Sequence, residues 1–286
     1  MKQLLVLSGK GGTGKTTVAG AFIALSGARA FADCDVDAPN LHLLYGRGKP
    51  ISRPYYGIKK AFIDKDKCIM CGECEEKCRF GAITNKNGFE VDGFSCEGCG
   101  VCELVCPAGA VEMSDRVSGE LNLYKNRNYL FSAARLNMGS GASGKLVTEV
   151  KKQMESHMPE TELAIIDGSP GIGCPVIASV SGVDMALMVA EPTLSGISDL
   201  KRVVKTALIL DARVAVCVNK FDINIKNTRE IFNFCQDNDI PFTGVIPFDS
   251  LVGEAVNQGR NITEVKSRAG DAIKRVYEKT MRALYS

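Results

Sequence analysis

The sequence predicts an α/β fold, a doubly wound and mostly parallel sheet with helices on both faces, interrupted by a small inserted α+β domain. Short apolar runs near residues 3–8, 30–33, 163–167, 185–190, 214–218 and 242–246 alternate with helical stretches such as 195–210 and 226–237. Alternation of this kind implies parallel strands joined by crossover helices, with ligands at the strands' carboxyl ends. The first run leads straight into a glycine-rich loop and a helix, and a cysteine-rich block, roughly 58–114, breaks the series after the second run. Without the block about 230 residues remain, the size of one α/β domain. The expected division is therefore 1–57 with 115–286 for the α/β domain and 58–114 for the insert.

Composition narrows the function classes. The 286 residues carry 35 Lys+Arg against 33 Asp+Glu, a net charge of +2, and 45% are hydrophobic. A balance this even argues against a chain held mainly by nucleic-acid phosphates or an anionic membrane. There is no Trp, and the seven Tyr and twelve Phe form no obvious stacking platform, so no nucleic-acid partner is expected. No apolar run approaches the roughly 18 residues of a membrane span. Leu4–Leu7 falls short of the roughly 7–15 of a signal-peptide core, and a cytoplasmic location is expected. His42 reads as a core or loop residue and His157 as a helix end.

The first strand, Gln3 to Ser8, is followed by Gly9-Lys10-Gly11-Gly12-Thr13-Gly14-Lys15-Thr16-Thr17. This fits G-x-x-x-x-G-K-[ST] in its strand-loop-helix setting. The glycines let backbone amides converge on phosphate oxygens, Lys15 neutralises the β and γ charges, and Thr16 offers a hydroxyl to Mg2+ at the start of a helix running to about Gly27. After the second strand comes Asp33-Cys34-Asp35-Val36-Asp37-Ala38-Pro39-Asn40. Any one of these Asp residues alone could be a turn or cap; their order relative to the loop carries the weight.

Eight of the twelve cysteines lie between residues 68 and 106. In a chain with no export signal such a density points to metal rather than disulfides. Cys68, Cys71, Cys74 and Cys78 recur 28 residues later as Cys96, Cys99, Cys102 and Cys106; Ile63-Asp64 is echoed by Val91-Asp92, and Gly81-Ala82-Ile83 by Gly109-Ala110-Val111. The doubled C-x2-C-x2-C-x3-C spacing is that of bacterial iron–sulfur runs, in which the fourth thiolate of each run ligates the other cluster. Zinc, which also uses C-x2-C pairs, would take four ligands in two separated pairs and leaves the third and fourth cysteines unexplained. Cys34, Cys174, Cys217 and Cys235 are scattered among apolar neighbours, as inert buried thiols are.

Asn137 to Lys145, rich in glycine and small residues, reads as a mobile loop. Ile165-Ile166-Asp167-Gly168-Ser169-Pro170-Gly171 ends a strand, and Val214 to Val218 delivers Asn219-Lys220-Phe221-Asp222. Near the C-terminus Ile273, Val276, Tyr277, Met281, Leu284 and Tyr285 share a helical face beside Lys274, Arg275, Lys279 and Arg282. Such a face conventionally packs on its own domain; a membrane-surface anchor is the alternative.

Two resemblances follow from these residues. The cysteine block resembles two-cluster bacterial ferredoxins, which implies one 4Fe-4S cluster on Cys68, Cys71, Cys74 and Cys106 and a second on Cys78, Cys96, Cys99 and Cys102. Cys78-Arg79 departs from the usual Cys-Pro, which Cys106-Pro107 keeps. The remainder resembles the MinD/ParA and nitrogenase iron protein superfamily, SIMIBI-type P-loop nucleotide hydrolases, because the extra Lys10 makes the loop the deviant Walker A form. That resemblance implies a dimer, either of identical chains or with a paralogue, in which Lys10 reaches the partner's nucleotide. It makes Asp35, with Asp37 as competitor, the carboxylate that orients the attacking water. It has Asp167 hold the metal's water shell and Gly171 offer its amide to the γ-phosphate. Asn219, with Pro247 and Asp249, contacts the base, and ATP is favoured over GTP.

The combination implies Mg-ATP hydrolysis whose dimer closure gates electron transfer through the clusters to a partner protein. A cluster carrier or metallocentre maturation factor is one alternative, and a MinD/ParA-like positioning ATPase with the clusters as sensor or structural element is another. Cys174 lies seven residues after Asp167, the offset of a cluster-ligating cysteine in the nitrogenase iron protein; its competing reading is a buried thiol beside Pro175 and Val176.

Overall fold

A computed structural model describes residues 1–157 and 159–286. In chain order the elements are β1 (Lys2–Leu7), α1 (Lys15–Ser26), β2 (Ala30–Asp33), α2 (His42–Tyr45), β3 (Ile51–Tyr56), β4 (Lys60–Ile63), α3 (Glu73–Glu76), β5 (Ile83–Asn85), β6 (Phe89–Val91), α4 (Val101–Val105), β7 (Val111–Ser114), β8 (Val117–Lys125) and β9 (Leu130–Leu136), then α5 (Ser143–His157), β10 (Leu163–Asp167), α6 (Cys174–Val180), β11 (Met185–Ala190), α7 (Leu194–Ile209), β12 (Arg213–Asn219), α8 (Ile225–Asp237), β13 (Phe242–Ile246), α9 (Leu251–Asn257) and α10 (Arg268–Tyr285). The chain divides into two compact units, one of residues 1–52, 121–135 and 144–286, the other of residues 53–120 and 136–143.

The first unit is built on a sheet ordered β13-β12-β11-β1-β10-β2-β9. All pairings from β13 to β9 are parallel. β1 lies between β10 and β11, covered on both faces, so Leu4 to Leu7 are wholly buried and the strand is a continuous apolar run rather than an alternating one. Pairing Val6 with Asp167, and Asp167 with Asp33, brings both carboxylates to one level at the carboxyl ends of neighbouring strands. Strand order switches sides at β1, with β10, β2 and β9 on one side and β11 to β13 on the other, which opens the crevice where α/β sheets hold ligands.

α10 closes the β13 end of this core. Ile273, Val276 and Leu284 are buried, with Tyr277 and Met281 packed against the same cluster, so the apolar face read from the sequence faces protein. Each such side chain contributes roughly 1.5–3 kcal/mol on burial. Among the described residues no helix is long and apolar enough to cross a membrane.

Several expectations change in detail. The loop expected to Lys145 ends at Ala142, because Ser143-Gly144-Lys145 form the first turn of α5. His42 is neither core nor loop but opens α2 and is exposed. β8 and β9 were not expected. β8 alternates, with Leu121 and Leu123 inward, whereas Leu130 to Ala134 of β9 are all buried beside β2.

The second unit repeats itself in backbone as well as in sequence. β4 pairs antiparallel with β7 and β5 with β6. Asp64 N donates to the Ala110 carbonyl as Asp92 N does to that of Ala82, the donors 28 residues apart and the acceptors exchanged by the same offset. Left-handed backbone recurs at the same offset in Met70 and Gly98, Gly72 and Gly100, and Gly81 and Gly109. Ala61, Ile63, Ala82, Ile83, Phe89 and Val111 form its small core together with Cys74 and Cys96.

Candidate functional site

The glycine-rich loop turns into α1 at Gly14, whose φ of 90° is a left-handed value that glycine adopts without strain. A Cβ there would stand 2.3 Å from Asn219 Nδ2, and that amide donates to the Thr13 carbonyl at 2.7 Å. Asn219 therefore braces the phosphate loop from the end of β12.

Lys15 is 5% exposed and its ammonium lies 2.5 Å from Asp167 Oδ1 and 3.9 Å from Asp35 Oδ2. Burial works against its charge, but Asp167, Asp33 and Asp35 outweigh burial and raise its pKa. Asp33, fully buried, is pushed up to about 7 by burial and then by Asp167. Its oxygens accept from the backbone N–H groups of Asp35, Asn40 and Leu41, which fixes the loop that carries Asp35. Burial also raises the Asp35 carboxyl, against the pull of Lys15. Three carboxylates thus surround one ammonium. Asp167 Oδ2 and Thr13 Oγ1 are buried and find no hydrogen-bond partner among the described residues. A buried oxygen left unpaired is costly, and an excess of carboxylate beside a phosphate loop fits a hydrated divalent cation with a nucleotide phosphate.

Gly9, Gly11 and Gly12 line the loop with Thr16 and Thr17. Lys15 Nζ stands 3.4 Å from Thr16 Oγ1. Lys10 does not extend into solvent. Its ammonium lies 2.7 Å from Glu191 Oε2 and 3.1 Å from Thr193 Oγ1. Glu191 also pairs with Lys220 at 2.9 Å, which in turn donates to the Gly12 carbonyl. Both lysines hold the Glu191 carboxyl below its ordinary range against the opposing effect of burial. The Gly171 amide is engaged by the Ser8 carbonyl at 3.0 Å. Pro247-Phe248-Asp249 is brought beside the Asn219 segment: the Phe248 amide donates to Asp222, while Asp249 receives the amides of Leu251 and Ala269. Asp37 is exposed. Glu191 was missed by sequence reasoning; its signal was an acidic residue immediately past a buried strand.

In the second unit a narrow cavity of about 20 Å³ is lined by Cys78, Cys96, Cys99 and Cys102, with Ala61, Val91 and Met113 among the remaining walls. Cys102 is raised by burial and then by the thiols of Cys96 and Cys99, after the opposing pull of its backbone contacts. Cys74 is raised by burial, with Cys68 and Cys106 adding to it. The Ala82 amide donates to Cys78 Sγ at 3.4 Å and the Ala110 amide to Cys106 Sγ at 3.3 Å. Burial opposes the Cys106 thiolate, yet the surrounding amides lower its pKa. Cys71 and Cys99 are exposed. Among the described residues no group of three or more His, Cys, Asp or Glu side chains is placed to hold a metal ion.

Outside the repeat, Cys34, Cys217 and Cys235 are buried, and burial pushes their thiols up to about 12, 12 and 11. Cys174 departs from the buried-thiol reading: it is exposed at the first residue of α6.

Comparison with known proteins adds the following. Residues 4–262 match the family model described as the CobQ/CobB/MinD/ParA nucleotide binding domain. The chain is 34% identical over 283 residues to the uncharacterized protein MJ0578 of Methanocaldococcus jannaschii, covering 97% of this chain and 95% of that one. It is 27% identical over 273 residues to MJ0579 of the same organism, covering 91% of each. Among solved structures it is similar to the septum site-determining protein MinD with Mg-ADP from Pyrococcus horikoshii, at TM-score 0.59 and 17% identity, covering 99% of this chain and 96% of that one.

Proposed function

Because the chain belongs to the CobQ/CobB/MinD/ParA nucleotide-binding family, we propose that it is a dimeric Mg-ATP-hydrolysing switch of the MinD/ParA kind whose inserted unit carries two 4Fe-4S clusters. The observation that carries the reading is Lys15, buried among Asp33, Asp35 and Asp167 with the Asp167 Oδ2 and Thr13 Oγ1 atoms unpaired.

The role of each residue follows from its position. Phosphoryl transfer needs little beyond placement and neutralised charge. The amides of the Gly9–Thr17 loop bind the phosphates, Lys15 leaves Asp167 to pair with the β and γ oxygens, and a divalent ion would be held by Thr16, with Asp167 holding its water shell. Mg2+ supplies charge neutralisation when bound. Asp35, on the loop fixed by Asp33, orients the attacking water. Asn219 and the Pro247–Asp249 segment border the base. Lys10 releases Glu191 and reaches the nucleotide of a second subunit, so turnover requires the dimer, and Gly171 exchanges the Ser8 carbonyl for a phosphate oxygen.

For the inserted unit the support is the four-cysteine cavity and the paired amide-to-sulfur hydrogen bonds of Cys78 and Cys106. Such clusters carry one electron each. What the switch controls is open to two readings. A positioning role accords with the septum site-determining MinD to which the fold is similar. Nucleotide-gated electron transfer to a redox partner accords with the doubled cysteine set, which positioning alone does not require.

Steady-state ATP turnover tests the hydrolase reading. Turnover that rises with the square of protein concentration and is abolished in Lys10→Ala, with nucleotide binding retained, is expected. A Lys10→Ala variant that hydrolyses ATP as the unaltered chain does would refute it.

A further inference from the structure

The two cysteine loops of the inserted unit repeat in sequence and backbone, yet among the described residues a buried cation stands beside only one of them. Lys60, at the start of β4, is 7% exposed, and its ammonium donates to the carbonyl of Cys96. The position 28 residues on is Gly88, where a Cβ would meet nothing within 4 Å, so the Cys68 loop has no corresponding ammonium. The chain that brings Lys60 there also covers the second loop. At Gly98, with a φ of 66°, an added Cβ would strike Ile58 and the Lys59 carbonyl. Its counterpart in the first loop is Met70, in the same left-handed backbone but half exposed.

Other charges near the two loops do not reproduce this difference. Lys67 pairs with Asp64 and Glu112 but is exposed, as is the Lys65–Glu90 pair. Glu73, Glu75 and Glu76 follow the first loop and Glu97 and Glu103 flank the second, all in solvent. Solvent and salt weaken such charges over a Debye length of about 8–10 Å. Asp92 is close enough to Lys60 for the ammonium to help lower its carboxyl, behind its stronger bonds from Ser95 and Phe94. It too is exposed, so it offsets Lys60 only partly.

Reduction adds a negative charge to a cluster, and an unscreened cation at a ligand's own carbonyl stabilises that charge. Burial of the second loop acts in the opposite direction, but the ammonium lies in the same low-dielectric space, where its attraction is strongest. We propose that Lys60 raises the reduction potential of the cluster held by Cys78, Cys96, Cys99 and Cys102, so that this cluster takes the first electron given to the inserted unit and the cluster held by Cys68, Cys71, Cys74 and Cys106 takes the second. The proposal rests on the two-cluster reading above.

The test uses the full chain prepared without oxygen, with Lys60→Gln and Lys60→Arg beside it. Gln keeps a donor for the Cys96 carbonyl without the charge, and Arg keeps the charge. Iron content and circular dichroism are measured on each, and reduction by dithionite with viologen mediators is followed by EPR. Two one-electron steps are expected in the unaltered chain. In Lys60→Gln the upper step alone should move down by a factor of ten or more in equilibrium constant, about 59 mV for one electron, and in Lys60→Arg it should stay near its original place. Unmoved steps in a folded, iron-replete Lys60→Gln, or movement of the lower step instead, would overturn the role of Lys60. An unaltered chain that binds no iron would overturn the two-cluster reading itself, and this inference with it.

Discussion

Neutralising Glu191 should move stability and dimerisation in opposite directions. Its carboxylate holds Lys10 at 2.7 Å and Lys220 at 2.9 Å, with Glu191 14% exposed and the two lysines 30% and 28% exposed. Partly exposed pairs of this kind are each worth about 0.5–1 kcal/mol. Glu191→Gln should therefore cost about 1–2 kcal/mol and lower Tm by about 2–4 °C per kcal/mol in a chain of this size. The pair with Lys10 must break if Lys10 is to serve a second subunit's nucleotide. Removing it relieves the closed form of about 1 kcal/mol, which corresponds to about a fivefold stronger nucleotide-dependent dimer. Differential scanning fluorimetry without nucleotide and sedimentation with Mg2+ and a non-hydrolysable ATP analogue measure the two effects. A lower Tm with an unchanged or weaker dimer would refute the idea that Glu191 holds Lys10 in reserve.

Lys15→Met should remove the ammonium that lies 2.5 Å from Asp167 and 3.9 Å from Asp35, leaving buried charge uncompensated at a cost of about 3–5 kcal/mol; urea unfolding measures the loss, and the rise in Tm with Mg-ATP should vanish. Asn219→Ala should cost about 1–3 kcal/mol by stranding the Thr13 carbonyl, with weaker nucleotide binding measured by calorimetry. Burial and then Asp167 push the Asp33 carboxyl from an ordinary 3.8 up to about 7, so the folded form binds its proton more tightly. Its contribution to stability is present in full below about pH 4, shrinks as pH rises and is gone above about pH 7; urea unfolding of the nucleotide-free chain at pH 5, 6, 7 and 8 should show that decline, and a flat or rising profile would contradict it.

What could be read from the sequence was what local chemistry dictates. Gly9 to Thr17 announces a phosphate loop because each of its positions has a separate job, and the doubled cysteine spacing announces the repeated backbone of the second unit. The main parallel strands were also legible, since β1, β10 and β11 are buried on both faces and run apolar throughout. Contacts made far along the chain were not. Nothing near Lys10 indicates that Glu191 holds it, and nothing in the Asp33-Cys34-Asp35 run distinguishes the residue that caps the loop from the one that faces Lys15. The position of β10 between β1 and β2 is likewise a pairing across more than a hundred residues. The exposure of Cys174 and the engagement of the Gly171 amide by Ser8 depend on how α6 and its preceding loop settle, which apolar neighbours do not encode.

The central claim, a nucleotide switch joined to two iron–sulfur clusters, is tested most directly by iron content and EPR on dithionite-reduced protein prepared without oxygen, with and without Mg-ATP and a non-hydrolysable analogue. About eight irons per chain, as two four-iron clusters require, and spectra that change with nucleotide are the predicted result. Protein that hydrolyses ATP yet holds no iron, or holds it with spectra indifferent to nucleotide, would contradict the coupling.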